Sequence, residues 1–336
     1  MMIGLAAMIA APMAGQAPTE APKSTPKSTS AKTKSAIPRT PDGHPDFQGV
    51  WTNATITPMV RPTAYASKPT LTDAEAKEFE KAAAEELQSN DGASDSPGLR
   101  AAGSGGTGGY NVLFIDRGSE LARVDGVKRT SLIIDPPDGK VPPLSKEANQ
   151  RIGAMMRNFL TYNSVKDRPL SERCLVGFSS TSGPPMMPVL YNNNYQIVQT
   201  PDAVMILVEM DHDVRVIRMN STHVAPAMRK WLGDSIGHWE GDTLVVDTTN
   251  FTDQTMFNAA SKDLHVIERF QRVDASTILY KVTIDDPSTF AKQWTMEFPF
   301  VATAGPVYEY ACHEGNYAMT DIMGGARKAD AEAGKK

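Results

Sequence analysis

The chain contains two cysteines, Cys174 and Cys312, and no others. That excludes a zinc ribbon, an iron–sulfur centre and a disulfide-dense miniature scaffold. It leaves one bridge, Cys174–Cys312, as the expectation for an oxidising compartment. Basic charge is not in excess: 34 Lys and Arg stand against 39 Asp and Glu, a net charge of −5. A nucleic-acid partner calls for a cationic face that neutralises phosphates, so none is expected. After the N-terminus no apolar run reaches the ~18 residues that span a bilayer, so no transmembrane segment is expected. The chain has no His-Glu-x-x-His pair, which argues against a zincin. Gly103-Ser104-Gly105-Gly106-Thr107-Gly108 has dinucleotide-loop spacing. Neither a preceding strand nor a following helix accompanies it, so it reads as a lid or linker and no nucleotide cofactor is expected.

What the chain does have is turn-forming residues: 24 prolines and 25 glycines, with 40% hydrophobic residues over 336 positions. Such a chain forms a sizeable core from many short elements, not a helical bundle. Residues 1–17, MMIGLAAMIAAPMAGQA, are apolar and end in small residues. Gly15 and Ala17 suit the −3 and −1 positions of a signal-peptide cleavage site, so periplasmic or secreted localisation is expected. Residues 18–38 are rich in Pro, Ser, Thr, Ala and Lys and read as a disordered linker. A single β-rich domain over 39–325 and a polar tail over 326–336 complete the expected organisation.

Thr72-Asp73-Ala74-Glu75 is a capping box that opens a helix reaching about Gln88. A second helix is expected from Ser145 to about Phe159. From Tyr191 onward short β-branched runs alternate with turns, at 195–200, 204–210, 214–220, 243–251, 265–273, 277–285 and 293–300. The fold class is therefore mainly β, an antiparallel barrel or sandwich with two or three peripheral helices. Residues 50–57 can add a strand that closes the sheet on itself.

Strand register sharpens this. A three-residue loop that sets Val273 opposite Thr277 puts Val266, Phe270, Tyr280, Val282 and Ile284 on one face, with Glu268 among them. His265, Arg269 and Lys281 point the other way. A three-residue turn at Asp211-His212-Asp213 sets Met210 opposite Val214, and Arg218 then joins the apolar face. An unpaired buried charge is very costly, so Glu268 and Arg218 are expected to pair or to hold a polar ligand between them.

Phe47-Gln48-Gly49-Val50-Trp51 resembles the Gly-x-Trp first strand of lipocalin-like barrels. Several segments together resemble a large family of secreted bacterial β-rich proteins, most without an assigned activity. They are Arg39-Thr40-Pro41-Asp42-Gly43-His44, Tyr191-Asn192-Asn193-Asn194-Tyr195, Gly237-His238-Trp239-Glu240-Gly241-Asp242 and Tyr310-Ala311-Cys312-His313-Glu314. The resemblance covers roughly 39–327. It implies export and a β-rich fold, and it assigns no catalytic residue.

Histidine beside a carboxylate is the usual means of proton transfer near neutral pH. His212 lies within Asp-His-Asp, His238 lies near Glu240 with Asp247 on the same face, and His313 is followed by Glu314. With Glu268 these form the expected catalytic set. Arg218, Asn192, Asn194, Tyr195 and Glu314 form the expected ligand-binding set. A divalent metal is the one cofactor that the His, Asp and Glu content leaves open, with no ligand motif to support it. The expected function is an exported enzyme acting on a small organic molecule by general acid–base chemistry, as a hydrolase, lyase or isomerase. The alternative is a non-catalytic periplasmic protein that binds a small ligand.

Overall fold

A computed structural model describes residues 37–92, 115–159, 161–178, 183–254, 257 and 259–334. The expected signal peptide, most of the linker and the glycine-rich stretch at 103–108 lie outside the described residues.

Three helices surround a sheet: α1 (Asp73–Gly92), α2 (Lys146–Phe159) and α3 (Ala318–Ala333). The capping box forms as read, with Thr72 N donating to Glu75 Oε2 at 3.0 Å and Glu75 N to Thr72 Oγ1 at 3.4 Å. The Ser145 hydroxyl caps α2 through Ala148 N at 2.9 Å. Helix α3 runs through most of the stretch expected to be a polar tail. Its alanines favour helix, and Arg327 anchors it to the carbonyls of Tyr162 and Asn163 at 2.9 and 2.8 Å.

The strands are β1 (Gly49–Thr52), β2 (Thr70–Leu71), β3 (Arg123–Val124), β4 (Val127–Arg129), β5 (Ile133–Asp135), β6 (Asn194–Gln199), β7 (Ala203–Val208) and β8 (Val214–Met219). They continue with β9 (Asp234–Glu240), β10 (Thr243–Thr249), β11 (His265–Arg272), β12 (Thr277–Asp285) and β13 (Trp294–Ala302). Strands β6 to β13 follow one another around a barrel, and β1 pairs with both β6 and β13 to close it. Trp51 of β1 is opposite Tyr195 on one side and Ala302 on the other. Strand β5 pairs with the start of β13, on the edge that β1 takes at its end, and β2, β4 and β3 form a small separate sheet.

Nine strands cannot alternate direction all the way around a closed ring, so at least one neighbouring pair must be parallel. That pair is β8 and β9, with Ile217 opposite Ser235 and Met219 opposite Gly237. A parallel connection cannot be a tight hairpin, and residues 220–233 carry the chain across between the two strands.

Alternation puts Tyr195, Phe270, Tyr280, Phe298 and Phe300 into the interior, each at 1% exposure or less. Their rings pack at centroid separations of 5.0 to 5.2 Å from Tyr195–Phe300, Phe270–Tyr280, Tyr280–Phe298 and Tyr280–Phe300. Interior aromatics at this density form a packed core. Trp51 is covered by the Arg272 guanidinium at 5.0 Å. The β11–β12 register is the expected one: Phe270 faces Tyr280, Glu268 faces Val282, and Val273 N bonds Thr277 O at 3.0 Å.

The β7–β8 register differs from expectation. Leu207, not Met210, stands opposite Val214, and Val208 N bonds Asp213 O at 2.8 Å. The turn is Glu209 to His212, with Asp211 and His212 both in the left-handed region at φ 59° and 45°. The strand ends early because the Glu209 carboxylate turns inward. It accepts Asn194 N and Nδ2 at 3.2 and 2.8 Å and Tyr308 N at 3.0 Å. The register moves by three residues. An odd shift exchanges the two faces of β8, so Arg215 points in and Arg218 points out.

Cys174 and Cys312 form a disulfide with Cα atoms 5.6 Å apart, as expected. No helix among the described residues is long and apolar enough to cross a membrane.

The end of the crossover depends on Gly233, at φ +71°. A Cβ there would lie 2.7 Å from both Thr248 Cγ2 and Thr249 O. Gly233→Ala should lower stability by about 1–3 kcal/mol in urea unfolding. Gly241→Ala, also at positive φ but with open space around it, should cost less. Equal effects would show that close packing at the crossover does not constrain this residue.

Candidate functional site

The interior acid expected at Glu268 is present and fully buried. Its partner is Arg215, not Arg218. Arg215 Nη1 and Nη2 donate to Glu268 Oε1 and Oε2 at 3.0 and 2.6 Å, and Tyr280 Oη donates to Oε1 at 2.8 Å. Burial works against the Arg215 charge, but the Glu268 carboxylate outweighs it and holds the guanidinium above its ordinary value. Burial, with the same carboxylate, pushes the Tyr280 hydroxyl well above its usual range. Tyr280 Oη also accepts Met186 N at 3.2 Å. Asn53 Nδ2 links Met186 O and Tyr195 Oη, at 2.9 and 3.2 Å. Both Glu268 oxygens are committed inside a packed core. Arg215 and Glu268 form a buried ion pair.

The outer face carries a different cluster. Arg218 of β8 donates to Asp234 Oδ2 at 2.8 Å and to Ser221 Oγ at 3.1 Å. On the crossover, His223 sits between two carboxylates, with Nδ1 3.2 Å from Asp234 Oδ2 and Nε2 3.0 Å from Asp247 Oδ1. His265 Nε2 lies 3.0 Å from Asp247 Oδ2. Lys230 Nζ reaches Asp234 Oδ1 at 3.0 Å. The result is a chain Asp234–His223–Asp247–His265. Burial pushes the Asp247 carboxyl up, but its bonds to His265 and His223 outweigh this and hold it below the usual range. The bond to Asp247 holds the His265 imidazole above its ordinary value. Among the described residues no three His, Cys, Asp or Glu converge as metal ligands.

Beside this cluster a cleft of about 410 Å³ opens in the wall. It lies where β8 has begun and its pairing with β9 has not. Val214 and Val216 form one side, Leu175 and Val176 another, and Trp231 and Leu232 of the crossover a third. Lys230, Arg215, Asp213 and Ser235 supply its polar lining. Val214, Val216 and Trp231 are each 40% to 50% exposed.

The remaining expected residues are scattered. His238 is half exposed and meets Glu240 at 3.3 Å, and Asp247, expected as its partner, serves His223 and His265 instead. His212 is exposed at its turn, with Nδ1 3.0 Å from Tyr310 O. His313 borders a second cavity beside the disulfide, and Glu314 is exposed. Asn192 takes a left-handed conformation, Asn194 holds Glu209, and Tyr195 lies in the core. The triple-asparagine segment is thus a turn that locks the β6 entry, with Asn193 buried and bonded to Val189 and Asp116.

Sequence reading left Arg215, His223, Asp234 and His265 out of the expected set. The outward position of His265 was legible from strand alternation. The placement of His223 and Trp231 depends on a crossover that no local pattern announces. No family model, curated protein or solved structure matches the chain.

Glu268→Gln should cost about 3–5 kcal/mol, since it leaves the Arg215 charge buried without its counter-ion. An Arg215→Met, Glu268→Leu double variant should lose less than the two single losses added together. Strict additivity in denaturant unfolding would contradict the pairing. For His265 the sign follows from its raised folded value. Its stabilisation is complete below the unfolded value of about 6.5 and is lost as pH rises through the higher folded one. The stability gap between wild type and His265→Gln should therefore be wider at about pH 5.5 than at about pH 8.5. A gap independent of pH would count against the Asp247 contact.

Proposed function

We propose that this is an exported protein that binds a small, largely apolar organic molecule in the cleft beside the parallel seam. One observation carries the reading: beside the start of the β8–β9 pairing a concave surface brings Leu175, Val176, Val214, Val216, Leu232 and the exposed Trp231 together with a few polar groups. Its size falls within the roughly 300–1,000 Å³ of small-molecule sites, and a few polar groups on an apolar wall are their usual lining. The barrel interior is a poorer candidate, because aromatic rings and the Arg215–Glu268 pair fill it. Export is supported by the apolar N-terminal run and by the disulfide, which suits an oxidising compartment.

The Asp234–His223–Asp247–His265 chain favours a second reading, acid–base catalysis on a molecule held in the cleft. Lys230 touches both the cleft and Asp234.

Purified protein incubated with a metabolite extract and examined by native mass spectrometry should retain a small molecule of unchanged mass. Val216→Glu, at a half-exposed cleft position, should abolish that retention while unfolding at the same denaturant midpoint. A converted mass that disappears in His223→Gln would instead establish the catalytic reading. Retention unaffected by Val216→Glu would remove the cleft from both.

A further inference from the structure

Leu175 lines two cavities at once. One is the seam cleft. The other, of about 370 Å³, lies against the disulfide and has Glu172, Arg173, His313 and Asn316 as its polar lining. The two differ in chemistry. In the cleft the cations Lys230 and Arg215 are already paired, with Asp234 and Glu268, whereas the second cavity sets Arg173 beside Val165, Leu175 and Met319.

The charge balance of the second cavity can be worked out. Glu172 is already neutralised: Arg168 Nε and Nη2 grip its two oxygens at 2.8 and 2.9 Å. The Arg173 guanidinium forms no hydrogen bond or ion pair among the described residues. Asn316 Nδ2 donates to Cys174 Sγ at 3.2 Å, and its Oδ1 accepts Ala318 N at 3.0 Å, which fixes the amide in place. His313 adds a ring N–H donor. An uncommitted guanidinium beside fixed donors matches the planar, two-oxygen geometry of a carboxylate.

The disulfide holds the arrangement together. Cys174 immediately precedes Leu175 and Val176 of the cleft wall, and Cys312 immediately precedes His313. One covalent bond therefore fixes the apolar wall and the polar lining relative to each other.

We infer that the two cavities form one bipartite site for an amphipathic carboxylate, with the apolar body in the seam cleft, the chain passing Leu175, and the head group on Arg173. This rests on the reading of the cleft as a ligand site, and it adds the chemical class of the ligand. Arg173 is a binding residue here, half-buried and outside the barrel, so its replacement does not disturb the core.

The test uses the full chain with its disulfide intact. Decanoate and 1-decanol, which share an apolar body and differ in the head, are titrated by calorimetry and by Trp231 emission, with Trp231→Phe locating the optical signal. Decanoate should bind at least about tenfold more tightly than 1-decanol, the size of one charge-assisted hydrogen bond. Arg173→Gln should erase that difference and leave 1-decanol binding unchanged. Equal affinity for the two probes would overturn the carboxylate assignment and leave the apolar cleft standing. A decanoate preference that survives Arg173→Gln would overturn the role of Arg173. No binding of either probe would overturn this inference, whereas the retention experiment on the Val216→Glu variant separately decides whether the cleft holds a ligand.

Discussion

An odd number of staves in a closed ring is the constraint from which the rest of this structure follows. Nine strands must contain a parallel neighbour pair, and a parallel pair needs a crossover. The chain meets that need once, between β8 and β9. The crossover is then tied down outside the wall by His223, Val224 and Lys230, all on Asp234. Where β8 has begun and β9 has not, the wall splays and the cleft forms. The histidine–carboxylate chain and the apolar cleft are therefore neighbours for one topological reason.

The Arg215–Glu268 pair plays a different part. It gives the interior a fixed polar centre, joined through Tyr280 and Met186 to Asn53 and Tyr195. In a low-dielectric core such a network is favourable only when its members are satisfied. Most are; Arg215 Nε and Asn53 Oδ1 are buried without a partner among the described residues. The aromatic rings around the pair leave the lumen packed. The proposed ligand site accordingly lies on the outer wall.

Much of the fold was legible because strand alternation is a strong local signal. The β11–β12 register, the burial of Glu268 and the closure by the strand containing Trp51 all followed from pattern alone. The β7–β8 register did not, and the reason lies in one residue. Glu209 looks like a strand position, yet it turns in to hold Asn194 and Tyr308, the latter distant in sequence. That long-range contact decides which arginine is inside, and no local pattern contains it. The candidate site was legible only in its parts. His265 could be placed on an outer face and Asp247 on the face of His238, but His223 comes from the crossover, and sequence does not state where a crossover lands.

The disulfide has a topological consequence. Residues 174 and 312 bracket β6 through β13, so eight of the nine staves lie within one covalent loop and β1 alone lies outside it. Strand β1 is four residues long and, among the described residues, carries the only pairings that join β6 to β13. It is the keystone of the ring: the covalent loop gathers eight staves, and a noncovalent strand of four residues joins the first of them to the last.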